Sequence, residues 1–139
     1  MKLFVLDTNA YIAYSQGNKN FFSKLVLRFI SMLDEGDCRF YIPTISFWEI
    51  ATKVLNKKLS IKGLGPEESL KFMQIPLESP EKFRDLPLTR KAAILAPTFR
   101  AKLQDPFDQL IVASALEANL PLITKDLNIQ KSKLVQTVW

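Results

Sequence analysis

The chain has 139 residues, enough for one domain whose core needs no covalent staples. Hydrophobic residues make up 47% and charged residues 24%, with four Gly, eight Pro and no low-complexity tract, which excludes a disordered or fibrous chain and fits a soluble globular one. Nineteen Lys and Arg against fourteen Asp and Glu give a net charge of +5, which favours a polyanionic partner such as RNA or DNA, while the absence of His removes the usual general base of nucleases and the commonest zinc ligand.

Any chemistry must therefore rest on carboxylates, hydroxyls or a hard metal ion. The single Cys38 has no internal disulfide partner, and the N-terminal apolar run is too short for a signal peptide or a membrane span. A cytoplasmic protein is expected.

Lys2 to Leu6 is a nearly unbroken apolar run, read as a strand buried on both faces in a parallel sheet. Asp7, Thr8 and Asn9 follow at the strand's carboxyl end, where open α/β sheets bind ligands; the plainer role for these residue types is to cap the next helix. Tyr11 to Tyr14 reads as a short helical turn broken at Gln16-Gly17-Asn18. Phe22, Leu25, Val26, Phe29, Ile30 and Leu33 then mark an amphipathic helix over 21–33, ending at Asp34-Glu35-Gly36. Arg39 to Ile42 is a second strand, closed by Pro43.

Thr44 or Ser46 is suited to cap the next helix, through about Asn56. On it Glu49 lies beside the stripe of Phe47, Ile50, Ala51, Val54 and Leu55, and the plain role for Glu49 is a surface pair with Lys53 worth roughly 0.2–0.5 kcal/mol. A basic connector, Asn56 to Gly63, leads to a helix opening at Gly65-Pro66 and running to about Met73. A short strand is expected around Phe83 to Leu86, and Thr89 caps a helix to about Ala96.

Asp105-Pro106-Phe107-Asp108 has the form of an N-cap followed by Pro at the first helical position. Asp108 shares a helical face with Ile111, Val112 and Ala115, so its carboxylate points toward the packed side, where it needs a partner, often a metal; its plain role is favourable interaction with the helix dipole. Pro121 to Thr124 is a short buried strand that runs into Lys125-Asp126 as the first strand runs into Asp7. Leu134 to Val138 completes the chain as an edge strand. Alternating strands and helices imply an α/β fold with a mainly parallel sheet.

Taken together, Leu6-Asp7-Thr8-Asn9, Ser46-Phe47-Trp48-Glu49-Ile50-Ala51-Thr52-Lys53, Asp105-Pro106-Phe107-Asp108 and Leu122-Ile123-Thr124-Lys125-Asp126 resemble, in order and spacing, the PIN domain in its branch of VapC-like toxins from toxin–antitoxin pairs. The resemblance spans nearly the whole chain and implies one three-layer α/β/α domain over 1–139. It implies an acidic cluster of Asp7, Glu49, Asp108 and Asp126, with Asp7 and Asp108 the metal ligands. Asp105, Thr8, Asn9, Ser46 and Thr124 would support them. It further implies an endoribonuclease, a small antitoxin partner and a homodimer. Relatives often carry His two residues before the Asp-Pro-Phe-Asp run and Arg after it, where this chain has Leu103 and Gln109.

Crowded carboxylates repel unless a cation offsets them, and Mg²⁺ or Mn²⁺ suits an all-oxygen site, lowering the pKa of a bound water and orienting it at phosphorus. A phosphatase with an Asp-x-Asp pair shares the fold class, but Asn9 occupies the place of its second acid. A non-catalytic RNA-binding module is the other alternative; it would need charge and aromatic platforms but not convergent acids. A purely structural protein leaves the acids at two strand ends without a purpose.

Overall fold

The computed structural model describes all residues 1–139, and its architecture follows from the first strand. β1 (Lys2–Leu6) sits mid-sheet, flanked by β2 (Cys38–Pro43) and β4 (Leu122–Ile123), with β3 (Phe83–Leu86) and β5 (Thr137–Val138) outside them. All four pairings are parallel, in the order β3-β2-β1-β4-β5. The chain builds outward from β1 to β3 and then crosses back to β4. That reversal opens a crevice at the carboxyl ends of β1 and β4, the position at which ligands reach such sheets.

Side-chain alternation along β1 divides the core in two. Phe4 and Leu6 join one cluster with Tyr11 of α1 (Thr8–Ser15), Phe29 of α2 (Lys24–Glu35), Ile50 of α3 (Thr44–Leu55) and Met73 of α4 (Pro66–Gln74). Val5 points the other way, to Ile111 and Val112 of α6 (Pro106–Ala118) and Ile129 of α7 (Leu127–Ser132). The short α5 (Arg90–Leu95) packs Ala92 against Ala113 of α6. The result is one three-layer α/β/α domain, and no helix is long and apolar enough to cross a membrane. Cys38 is buried at the start of β2, where desolvation pushes its thiol up to about 11 and keeps it unreactive.

Several boundaries differ from the sequence reading for identifiable reasons. The first helix begins at Thr8, not Tyr11, because Asp7 in extended backbone caps it. Phe21 and Phe22 lie outside α2, which starts after Ser23 accepts the Val26 N–H. Neither Thr44 nor Ser46 caps α3: the cap position is Pro43, the Thr44 hydroxyl accepts instead from the Leu88 N–H, and Ser46 turns inward. α7 was not anticipated at all; six residues are too few to show a helical period.

One polar contact locks the first core layer. The hydroxyl of Tyr11, fully buried, donates to the carbonyl of Met73 in the last turn of α4, where helix carbonyls lack a partner in their own helix. Tyr11→Phe strands that carbonyl away from water, and the expected loss is about 1–3 kcal/mol in urea unfolding. An unchanged midpoint would show that the carbonyl finds another donor.

Candidate active site

Each strand that ends at the crevice delivers a polar residue into it. Asp7 follows β1 and is only 7% exposed. Its Oδ1 accepts the Thr8 N–H at 2.8 Å, and its Oδ2 accepts the Thr124 hydroxyl at 2.7 Å. Thr124 follows β4, and the pairing of Leu6 with Ile123 brings the two strand ends side by side. The same Thr124 hydroxyl oxygen accepts the Asp126 N–H at 3.1 Å, so one side chain ties both strand-end acids together.

On the opposite side, α3 presents Ser46 and Glu49 one helical turn apart. Thr8 Oγ1 lies 2.8 Å from Ser46 Oγ and 2.8 Å from Glu49 Oε1. A hydroxyl has a single proton, so Thr8 donates in one of these contacts and accepts in the other. Glu49 makes no ion pair with Lys53; the ion pairs of the chain are Lys71–Glu67 and Lys82–Asp34. The surface role suggested by helical spacing therefore gives way to a tertiary contact with α1.

The electrostatics show that the acids are gathered. Burial raises the Asp7 carboxyl above its ordinary value, opposed by the bonds from Thr124 and Thr8 and reinforced by the charge of Asp126. Burial likewise raises Glu49, against the bond from Thr8 and the charge of Lys53 and with the charges of Asp7 and Asp105. Asp108, in the first turn of α6, is pushed up to about 7 by desolvation and then by Asp105, Asp7, Asp126 and Glu49 in turn. Asp108 thus feels the charges of four other acids drawn from four parts of the chain.

Asp105 and Asp126 also cap helices. Asp105 Oδ1 accepts from the N–H groups of Phe107 and Asp108, and Asp126 Oδ1 from those of Asn128 and Ile129. Capping uses one oxygen of each carboxylate, so it does not compete with a place in the site. Asn9 is exposed and makes no side-chain hydrogen bond; it lines a cleft of about 180 Å³ beside Asp7 and Asp126.

These donors suit a hard cation: all are oxygens, and their mutual repulsion is relieved by positive charge. No three of them are drawn together as a ready-made cage. Mg²⁺ does not require one, because it keeps several waters and takes one or two carboxylates. Asp7, the more buried of the two strand-end acids, and Asp108, raised by burial and then by the charges of four other acids, are two carboxylates that could hold such an ion.

The sequence pattern of the PIN domain matches residues 4–133. The chain belongs to the PIN-domain family. Solved structures with a similar fold include the VapBC2 complex of Rickettsia felis bound to a promoter DNA fragment (TM-score 0.69, 15% identity, covering 98% of this chain and 97% of that one). DNA-bound VapBC from Salmonella typhimurium is similar (0.67, 24%, 99% and 98%), as is FitAcB from Neisseria gonorrhoeae (0.64, 20%, 98% and 96%). No curated protein matches the chain.

Within this PIN domain, the two positions that depart from the family resemblance meet each other. Gln109 Nε2 donates to the Leu103 carbonyl at 2.6 Å, and the Leu103 side chain is buried in the second core layer. Gln109 thereby anchors the loop that precedes α6 instead of reaching for a substrate. Sequence reasoning gave no role to Lys125 or Phe21, which line the cleft with Asp7, Asn9 and Asp126. The apolar spacing that puts Phe21 at the start of a helix hides its place at the cleft, and Lys125, between Thr124 and Asp126, carries no spacing signal of its own.

The double character of Asp105 makes a graded expectation. Asp105→Ala removes the cap of α6 and is expected to cost about 1 kcal/mol in thermal unfolding, whereas Asp105→Asn keeps a capping oxygen and stays near wild type. Cleavage by Asp105→Asn should fall by less than about tenfold, because the residue is exposed and its capping oxygen is retained. A loss as large as that from Asp108→Asn would give Asp105 a part in the site equal to that of Asp108.

Proposed function

We propose that this PIN domain is a Mg²⁺- or Mn²⁺-dependent endoribonuclease acting as the VapC-like toxin of a toxin–antitoxin pair. The observation that carries the reading is the gathering of Asp7, Glu49, Asp108 and Asp126 at the sheet's reversal point, with Asp108 pushed up to about 7 by burial and its acidic neighbours. Acids whose charges converge on one another's carboxyls make sense where a cation is part of the working protein. The similar VapBC and FitAcB folds and the net charge of +5 support the toxin and the RNA substrate respectively.

When bound, such an ion supplies Lewis acidity, lowering the pKa of a coordinated water and offsetting charge as the phosphodiester bond breaks. The chain's own residues do the positioning. Asp7, with its rotamer fixed by Thr124 and the Thr8 N–H, and Asp108, on the first turn of α6, would hold the ion. Glu49 and Asp126, held by Thr8 and by the N–H groups of α7, order the attacking water and take up its proton. A small antitoxin inhibits by filling the acidic crevice, for which an Arg guanidinium is well shaped. The working toxin is a homodimer.

Without His, activation of the RNA's own 2′-hydroxyl lacks its usual base, so cleavage should leave a 5′-phosphate and a 3′-hydroxyl. The test is end-group analysis of a short structured RNA cut in Mg²⁺ or Mn²⁺, beside a copy with one 2′-deoxy sugar at the mapped site. Cyclic phosphate ends, or loss of cutting in the deoxy copy with binding unchanged, would refute the mechanism. RNA that is bound but never cut would leave the non-catalytic module standing.

A further inference from the structure

The cleft beside Asp7 is lined by groups of opposite charge. The acids Asp7 and Asp126 line it together with Lys125 and the ring of Phe21. Lys125 lies between Thr124 and Asp126 in sequence, yet its ammonium pairs with neither acid. It sits over the face of Phe21, 4.8 Å from the ring centroid. Phe21 is itself fixed edge-on by Phe22 and by Trp139, with centroids 5.4 Å away in each case. The cation is therefore held by an aromatic cluster and not by the acids, with its charge left for an anion entering the cleft.

We propose that this cleft is the subsite for the RNA phosphate next to the one being cut, with Lys125 as its cationic contact and Phe21 as the residue that holds Lys125 in place. The proposal rests on the ribonuclease reading and deepens it. A strand crossing the cleft presents successive phosphates, one to the acids and their ion and the next to the ammonium, which is a compact point charge well suited to phosphate. The arrangement also accounts for a lysine next to two acids that does not neutralise them. Lys125 is a positioning residue: it sets the register of the strand and takes no part in proton transfer.

The experiment is the salt dependence of binding of a short single-stranded RNA, read by fluorescence anisotropy in the Asp108→Asn protein so that the RNA stays intact. One phosphate contact contributes about 0.7 to the slope of log K against log salt for a single strand. Lys125→Met should flatten the slope by about that amount, so that its deficit against the parent shrinks roughly threefold between about 50 and 200 mM salt. Lys125→Arg should keep the slope, and Phe21→Leu should weaken binding with the slope kept, since the charge remains. Lys71→Met, the same charge change on α4, should leave the slope alone. A parental slope in Lys125→Met, or an equal loss in Lys71→Met, would overturn the subsite. Cutting by the wild-type protein, assayed alongside, separates the two claims: if it cuts RNA while Lys125→Met keeps its slope, only the subsite falls, and if it neither cuts nor binds RNA, both fall.

Discussion

Asp108→Asn will cut RNA on the order of a thousandfold more slowly than the wild-type protein while folding normally, since an ion at such a site supplies several kcal/mol of transition-state stabilisation and each 1.36 kcal/mol is worth about tenfold. The exchange keeps side-chain volume and removes one charge. Asp108 makes no side-chain hydrogen bond, and its carboxyl is pushed up by burial and then by its acidic neighbours, so the uncharged amide relieves both costs and breaks nothing. Asp7→Asn should lose as much activity but at some cost in stability, because both Asp7 oxygens accept hydrogen bonds and an amide offers only one. Cleavage rates and circular dichroism of both purified variants check this. Wild-type rates in either would remove the acids from the mechanism.

Withdrawing the ion should be as severe for activity, and it has a signature in stability. EDTA should stop cleavage, and Mn²⁺ at a hundredfold excess over its dissociation constant should stabilise the wild-type fold by about 2.7 kcal/mol and the Asp108→Asn fold by much less. In EDTA, pH gives a second reading. Folding raises the Asp108 carboxyl from 3.8 to about 7, so between those values the folded state binds more proton than the unfolded one, and stability falls as pH rises. The loss is absent below about pH 4 and complete above about pH 7. Such a rise corresponds to about 4 kcal/mol, which solvent reaching the half-buried site trims to roughly 1–2 kcal/mol. Asn at 108 never ionises, so the gap between the two proteins should open across that window. Parallel curves would show that Asp108 feels no such field.

Where the sequence was informative, the signal was local. The apolar run before Asp7, the Asp105-Pro106 cap and Gly36, with φ of 80° at the end of α2, each act through their neighbours in the chain. The acids at the ends of β1 and β4 were legible because strand direction fixes where they emerge. What stayed hidden depends on partners far away in sequence. Ser46 looks like a helix cap until Thr8, 38 residues earlier, claims it, and Glu49 looks like a surface acid until the same hydroxyl reaches it. The seat of Lys125 on Phe21 belongs to the same class. No periodicity records them.

The bond between Thr124 and Asp7 closes a loop of 117 residues, and β4, which aligns it, has only two residues to pair with β1. Contacts of such long range form late, after the cost of closing the loop has been met. A chain growing from its N-terminus at about 5–20 residues per second displays Asp7 and Glu49 seconds before Asp108 and Thr124 exist to join them. The acidic centre is thus assembled by the last quarter of the chain. On the ribonuclease proposed above, synthesis itself would keep the growing protein harmless to the RNA around it until the sheet is completed.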